Sequence, residues 1–91
     1  MRLVATPRFA RATKKLHHRE KLALDDALHA IAAKPEIGEM KKGDLAGVRV
    51  YKYRDEAKLV LLAYQVAPDE DAIKLVAFGP HENFYRDLKP E

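Results

Sequence analysis

The segment Gly79-Pro80-His81-Glu82-Asn83-Phe84-Tyr85-Arg86 sets an imidazole, a carboxylate, a phenyl ring, a phenol and a guanidinium within six residues. Those groups suit work on a phosphodiester. His81 can give or take a proton near neutral pH, and Tyr85 can offer a hydroxyl. The ring of Phe84 or Tyr85 can stack on an unpaired base. The same residues also read as a C-terminal helix that docks Phe84 and Leu88 into the core at i, i+4 and leaves His81 on the surface. Upstream, Val48-Arg49-Val50-Tyr51-Lys52-Tyr53-Arg54 alternates as a strand. Lys52 and Arg54 then share one side about 7 Å apart, a spacing that can hold a phosphate and offset the charge of in-line attack. Tyr51 and Tyr53 occupy the other side. Val48 and Val50 share the Lys52/Arg54 side, so the alternation alone leaves open which set faces inward.

Other chemistries fall away by count. The chain has no cysteine and no serine, which excludes a disulfide scaffold, a thiol nucleophile and a serine hydrolase. No P-loop, GxGxxG or HExxH is present. His17-His18 with Glu20 lacks a third ligand, and neighbours on a helix point about 100° apart. Asp69-Glu70-Asp71 reads as a solvated turn. We therefore expect no metal site and no cofactor.

The positioning elements must come from 91 residues, room for a single domain spanning 1–91. Hydrophobic residues make up 47% and charged ones 34%, a globular composition with a wet surface. No apolar run approaches the ~18 residues of a membrane span, and Met1 to Pro7 carries no signal-peptide core, so a soluble cytoplasmic protein with no membrane role is expected. The net charge of +3 conceals an asymmetry: residues 1–54 hold 13 Lys/Arg against 6 Asp/Glu, and residues 55–91 hold 4 against 8. A basic half of that kind, with Lys41, Lys42 and Arg49 among its cations, concentrates polyanions.

Arg2 to Thr6 reads as a strand stopped by Pro7, and Thr6 with Pro7 starts a helix. Phe9, Ala12 and Leu16 recur at helical spacing, so that helix is expected to close at His17-His18. A second helix runs from about Arg19 to Ala33, ended by Lys34-Pro35. Residues 35–47 have glycines and no periodicity, and read as loop. Strands follow at 48–54, 59–66 and 72–78, joined by turns at Asp55–Lys58 and Pro68–Asp71. The order β-α-α-β-β-β(-α) predicts an α+β domain, with a four-stranded, mainly antiparallel sheet and two N-terminal helices packed on one face.

That order, the stretch Asp44-Leu45-Ala46-Gly47-Val48-Arg49-Val50-Tyr51-Lys52-Tyr53-Arg54, the run Leu62-Ala63-Tyr64-Gln65-Val66 and the ending 79–88 resemble the RelE/ParE superfamily of type II toxin–antitoxin toxins. The resemblance implies a cognate antitoxin as partner. In the RelE-like members it also implies metal-free cleavage of mRNA in the ribosomal A site by attack of the ribose 2′-hydroxyl, which inhibits translation. Lys52 and Arg54 match the basic strand residues. His81 falls where RelE has an arginine and the YafQ-like branch a histidine, and Tyr85 falls near the terminal aromatic residue. The resemblance thus names His81, Tyr85, Lys52 and Arg54 as catalytic; Arg49, Lys41 and Lys42 of the basic half, and Phe84 by its ring, are expected on the RNA. Leu61 stands where RelE has an arginine, so that charge must come from Arg54, Lys58 or Arg49. Two alternatives share the fold: a ParE-like inhibitor of DNA gyrase, which needs no nuclease residues, and a relic that only binds its antitoxin.

Overall fold

A computed structural model describes residues 1–88, with Asn83 and Asp87 as backbone only; the polar end at 89–91 lies outside the described residues. The elements are β1 (Arg2–Ala5), α1 (Pro7–Thr13), α2 (His18–Ala33), β2 (Glu39–Met40), β3 (Arg49–Asp55), β4 (Lys58–Ala67), β5 (Ala72–Pro80) and α3 (His81–Leu88). The strands form one sheet in the order β1-β5-β4-β3-β2. β1 runs parallel to β5 and every other pair is antiparallel. The α+β class is as expected, with five strands in place of four. The added strand is β2, two residues inside the segment read as loop, and it is held by backbone pairing of Glu39 with Val50 and Met40 with Arg49. So short a strand leaves no hydrophobic period to read.

Thr6 opens α1 by accepting the Phe9 N–H at 3.2 Å. The helix stops at Thr13, earlier than expected, and a turn through Lys14 and Lys15 leads to α2. His17 does not close α1; it is the N-cap of α2, and its N–H donates to Glu20 Oε1 at 2.8 Å. Leu16 still packs on the core, which is why the helical spacing ran on through the turn.

Each face of the sheet carries a packed cluster. On the helix side, Phe9, Leu24, Ala27 and Ile31 pack on Leu62, Tyr64, Ile73 and Leu75, with Tyr51, Tyr53 and Phe78 partly buried beside them. On the far side, Phe84 and Leu88 of α3 pack on Val48, Val50, Leu61, Ala63 and Ala77. β5 serves both faces through a bulge: Ala77 pairs with Ala63 and Leu75 with Tyr64, which leaves Val76 unpaired. The extra residue lets Leu75 and Phe78, three apart, reach the same face. Thr6 Oγ1 donates to the Val76 carbonyl at 3.1 Å, so the residue that caps α1 also satisfies the bulge.

The chain between α2 and β3 is fixed by two side chains. Tyr64, fully buried, donates from Oη to the Pro35 carbonyl at 2.6 Å and accepts the Gly38 N–H at 2.8 Å. Arg49 donates from one terminal nitrogen to the carbonyls of Gly38 at 2.8 Å and Glu36 at 3.3 Å.

Candidate functional site

Register decides what the alternation of β3 left open. Tyr51 and Tyr53 face the two N-terminal helices with their rings stacked 6.4 Å apart, and Lys52 and Arg54 stand exposed on the far face. Burial, with the negative charges of Asp55 and Glu20 adding, pushes the Tyr53 phenol up to about 12.

The far face is the one α3 crosses. Lys52 pairs with Leu61, which pairs with Gly79; Arg54 pairs with Leu59. Pro80 pairs with Val60, so His81 leaves the sheet at the level of Leu59 with Arg54 on the other side of that residue. Two strand spacings, about 10 Å, separate the backbones of Arg54 and His81. His81 is exposed at the first position of α3 and lines an open cleft with Ala57, Lys58, Leu59, Pro80 and Glu82.

Tyr85 lies one turn further along α3, half-buried, with its ring edge-on to Phe84 at 5.4 Å. Lys41 Nζ sits 5.2 Å above that ring and 2.7 Å from Glu39 Oε1. The hydrogen bond to Glu39, then the Tyr85 phenol, push the Lys41 ammonium up, and the same bond holds the Glu39 carboxyl down with help from the charge of Lys52. Lys41, Glu39 and Tyr85 thus form a connected polar edge at the β2 side of the face, within reach of the Lys52 charge. Lys42 is exposed just beyond it.

Two expected RNA contacts belong elsewhere. Arg49 alternates to the helix side of β3 and is used on the carbonyls of Glu36 and Gly38. Phe84 is a core residue at 4% exposure, because the i, i+4 pair of Phe84 and Leu88 is what anchors α3 to the sheet. Leu61 lies fully buried beneath that helix. Neither Lys58 nor Glu39 is marked by a motif in the sequence. Lys58 sits at the β3–β4 turn and meets Glu20 and Phe78 at a cavity only through long-range packing, which leaves no local signal. Among the described residues no group of three His, Cys, Asp or Glu side chains is placed to hold a metal ion. Nor, among them, is any helix long and apolar enough to cross a membrane.

The fold, a five-stranded sheet with a helical hairpin on one face, is shared with solved structures of a bacterial toxin. The chain is similar to the E. coli RelE toxin in the intact RelBE toxin–antitoxin complex, with a TM-score of 0.72 and 20% identity over 86% of this chain and 93% of that one. It is similar to the isolated E. coli RelE toxin, with a TM-score of 0.71 and 20% identity over 96% and 98%. An E. coli RelE mutant in complex with a peptide of antitoxin RelB gives 0.70 and 19% over 99% and 96%. Among curated protein sequences none matches. The family model described as the ParE-like toxin of type II bacterial toxin–antitoxin systems matches residues 3–89, and the chain belongs to that family. It is a type II toxin of the RelE/ParE kind.

Proposed function

We propose that this toxin is a ribosome-dependent mRNA endoribonuclease that inhibits translation in the cytoplasm, with His81, Tyr85, Lys52 and Arg54 as its site. The observation that carries the reading is the alignment of Arg54 and His81 across Leu59 on a face that also exposes Lys52. Cleavage beside a 2′-hydroxyl requires a base for that hydroxyl, an acid for the departing 5′-oxygen and positive charge beside the phosphorane. His81 supplies an acid–base group, as in the histidine-using YafQ-like branch. Lys52 and Arg54 supply the charge, and Tyr85 can contact the nucleotide once its ring leaves Lys41. The reaction needs no metal or other cofactor. Free RNA is cut poorly, because so small a surface cannot impose in-line geometry without the ribosome.

The test is cleavage of mRNA on a programmed ribosome by wild type, His81→Ala and Tyr85→Ala, with EDTA-treated protein as a control. His81→Ala is expected to lose about 10²–10⁴-fold in rate, with EDTA without effect. If both variants cut at the wild-type rate, the site lies elsewhere. The second reading, inhibition of DNA gyrase, is favoured by the ParE-like description of the matching family. It takes over if wild type leaves ribosome-bound mRNA intact and blocks supercoiling.

The partner we infer is a small acidic antitoxin. Two of the similar structures are complexes of RelE with RelB, and the basic first half of the chain gives such a partner its attraction. Co-expression with the adjacent small reading frame should yield a co-purifying complex; recovery of the toxin alone counts against it.

A further inference from the structure

We propose that the cavity between the β3–β4 turn and the first turn of α2, on the helix side of the sheet, is an anchor site for an arginine side chain of the antitoxin. The inference rests on the antitoxin reading and names one contact of that partner. Register builds the site. Tyr53, Val60 and Pro80 stand in one row across the sheet, and Asp55 and Lys58 form the next row on the same face. Glu20 approaches from α2 and Leu16 from the turn before it, and Phe78 adds to the apolar side.

Asp55 is the residue that needs an explanation. It is 9% exposed, yet among the described residues its carboxylate has one partner, Arg19 Nε at 3.7 Å, too long for a hydrogen bond. A carboxylate so nearly buried usually accepts several hydrogen bonds. Among the described residues no fully enclosed side-chain oxygen goes without one. The Asp55 oxygens are therefore reachable from solvent, by way of the cavity that Asp55 borders. Glu20 accepts the His17 N–H through Oε1 at 2.8 Å, and no hydrogen bond among the described residues uses its Oε2. Both carboxylates face the Tyr53 phenol, which burial first, and then their charges, push up. Arg19 is exposed and divided between Asp55 and Glu56, the latter at 3.2 Å. Lys58 is exposed on the rim, on a flexible stem that lets its ammonium move aside.

The cavity encloses about 110 Å³, well under the roughly 300–1,000 Å³ of small-molecule sites, so it suits one side chain rather than a metabolite. Two carboxylates and a phenol over walls of Leu16, Val60 and Phe78 call for a cation with an apolar stem. A guanidinium fits better than an ammonium. It is planar and weakly hydrated, offers paired N–H donors to a carboxylate, and can lie against the rings of Tyr53 and Phe78. The surrounding charge says what such a contact does. Residues 1–54 carry 13 Lys/Arg against 6 Asp/Glu, a balance that attracts any acidic partner. Here the sign is reversed, so an arginine in an otherwise acidic antitoxin fixes the register of the complex and tells the cognate partner from others.

Two measurements test this. In the first, calorimetry follows binding of the full-length toxin to the antitoxin encoded by the adjacent reading frame. Asp55→Asn is expected to weaken binding about 10–100-fold, and Asp69→Asn at the exposed β4–β5 turn to leave it unchanged. Replacing each antitoxin arginine by glutamine in turn should find one whose loss matches that of Asp55→Asn and vanishes in the Asp55→Asn background. Asp55→Asn at wild-type affinity, or no arginine coupled to Asp55, overturns the anchor and leaves the antitoxin reading intact. In the second, the toxin alone is titrated with ethylguanidinium against sodium at equal ionic strength, and amide shifts are followed by NMR. Shifts are expected at residues 16, 20, 53, 55 and 58 and should be lost in Asp55→Asn. Shifts that Asp55→Asn leaves in place, or that spread over the acidic turn Pro68–Asp71, overturn the site. Wild type that binds no antitoxin overturns the antitoxin reading, and Asp55-dependent shifts beside that result support the cavity as a guanidinium site. Circular dichroism verifies that each variant is folded; should Asp55→Asn unfold, Glu20→Gln and Tyr53→Phe carry the same cycle.

Discussion

Tyr53 shows how a residue's surroundings set its chemistry. Its phenol, buried against the helices and facing the Asp55 and Glu20 carboxylates, is pushed from 10.0 up to about 12. The folded state therefore keeps the proton longer than the unfolded chain does. That contribution to stability is complete below about pH 10 and is lost as pH rises through about 12. Phenolate absorbance should show a late step near pH 12 that Tyr53→Phe removes, and alkaline unfolding should be less steep in that variant. Tyr64 carries a different load. Tyr64→Phe deletes the bond to Pro35 and leaves the buried Gly38 N–H without its acceptor, a loss of about 1–3 kcal/mol in urea unfolding. Gly38→Ala should cost a similar amount, since its Cβ would fall 2.7 Å from Tyr64 Oη and 2.8 Å from Cε1 of a fully buried ring. The double variant should be less than additive, because phenylalanine removes the oxygen that the new methyl strikes.

Among the elements, each helix depends on a contact at its boundary or on its buried side. Thr6 caps α1 and satisfies the carbonyl of the bulged Val76 with one hydroxyl. Thr6→Ala should lower stability by about 1–2 kcal/mol and Thr6→Ser by much less, as read from denaturation midpoints. For α2, the His17 N–H first, and nearby positive charges after it, hold the Glu20 carboxyl below 4.5. A depressed carboxylate stabilises the fold above its unfolded pKa and loses that effect as pH falls through the lower, folded value. The Tm gap between wild type and Glu20→Gln should therefore be constant above about pH 5 and close in acid. α3 is held by the pair Phe84 and Leu88. Phe84→Ala should cost about 3–5 kcal/mol. Amide exchange in α3 should quicken first, ahead of the sheet strands it covers.

At the scale of the molecule, one sheet separates two kinds of surface. The helical hairpin fills one face with apolar side chains and shows its lysines and arginines to solvent. The other face holds Lys52, Arg54 and His81 around a single short helix. Much of this was written locally. Pro7 and Pro35 bound the helical half, the near-continuous apolar run of β4 marked a central strand, and the i, i+4 pair of Phe84 and Leu88 marked a docking helix. The types of residue suited to phosphate chemistry were equally plain, since alternation puts Lys52 and Arg54 on one side whatever they face. Local pattern could not say which side of β3 looks inward, because Val50 and Tyr51 are both apolar enough to be core. That depended on which face received α1 and α2, a relation between distant parts of the chain. Nor could spacing show that Arg49 pins the 36–38 carbonyls, that Lys41 covers Tyr85, or that Glu20 joins Asp55 at a cavity. The sequence by itself determined the elements and their chemistry, because helix and strand periods and turn residues act over a few positions. Only the tertiary structure decided which of those groups meet, because strand register and the packing of helices on a sheet are settled by contacts that close long loops.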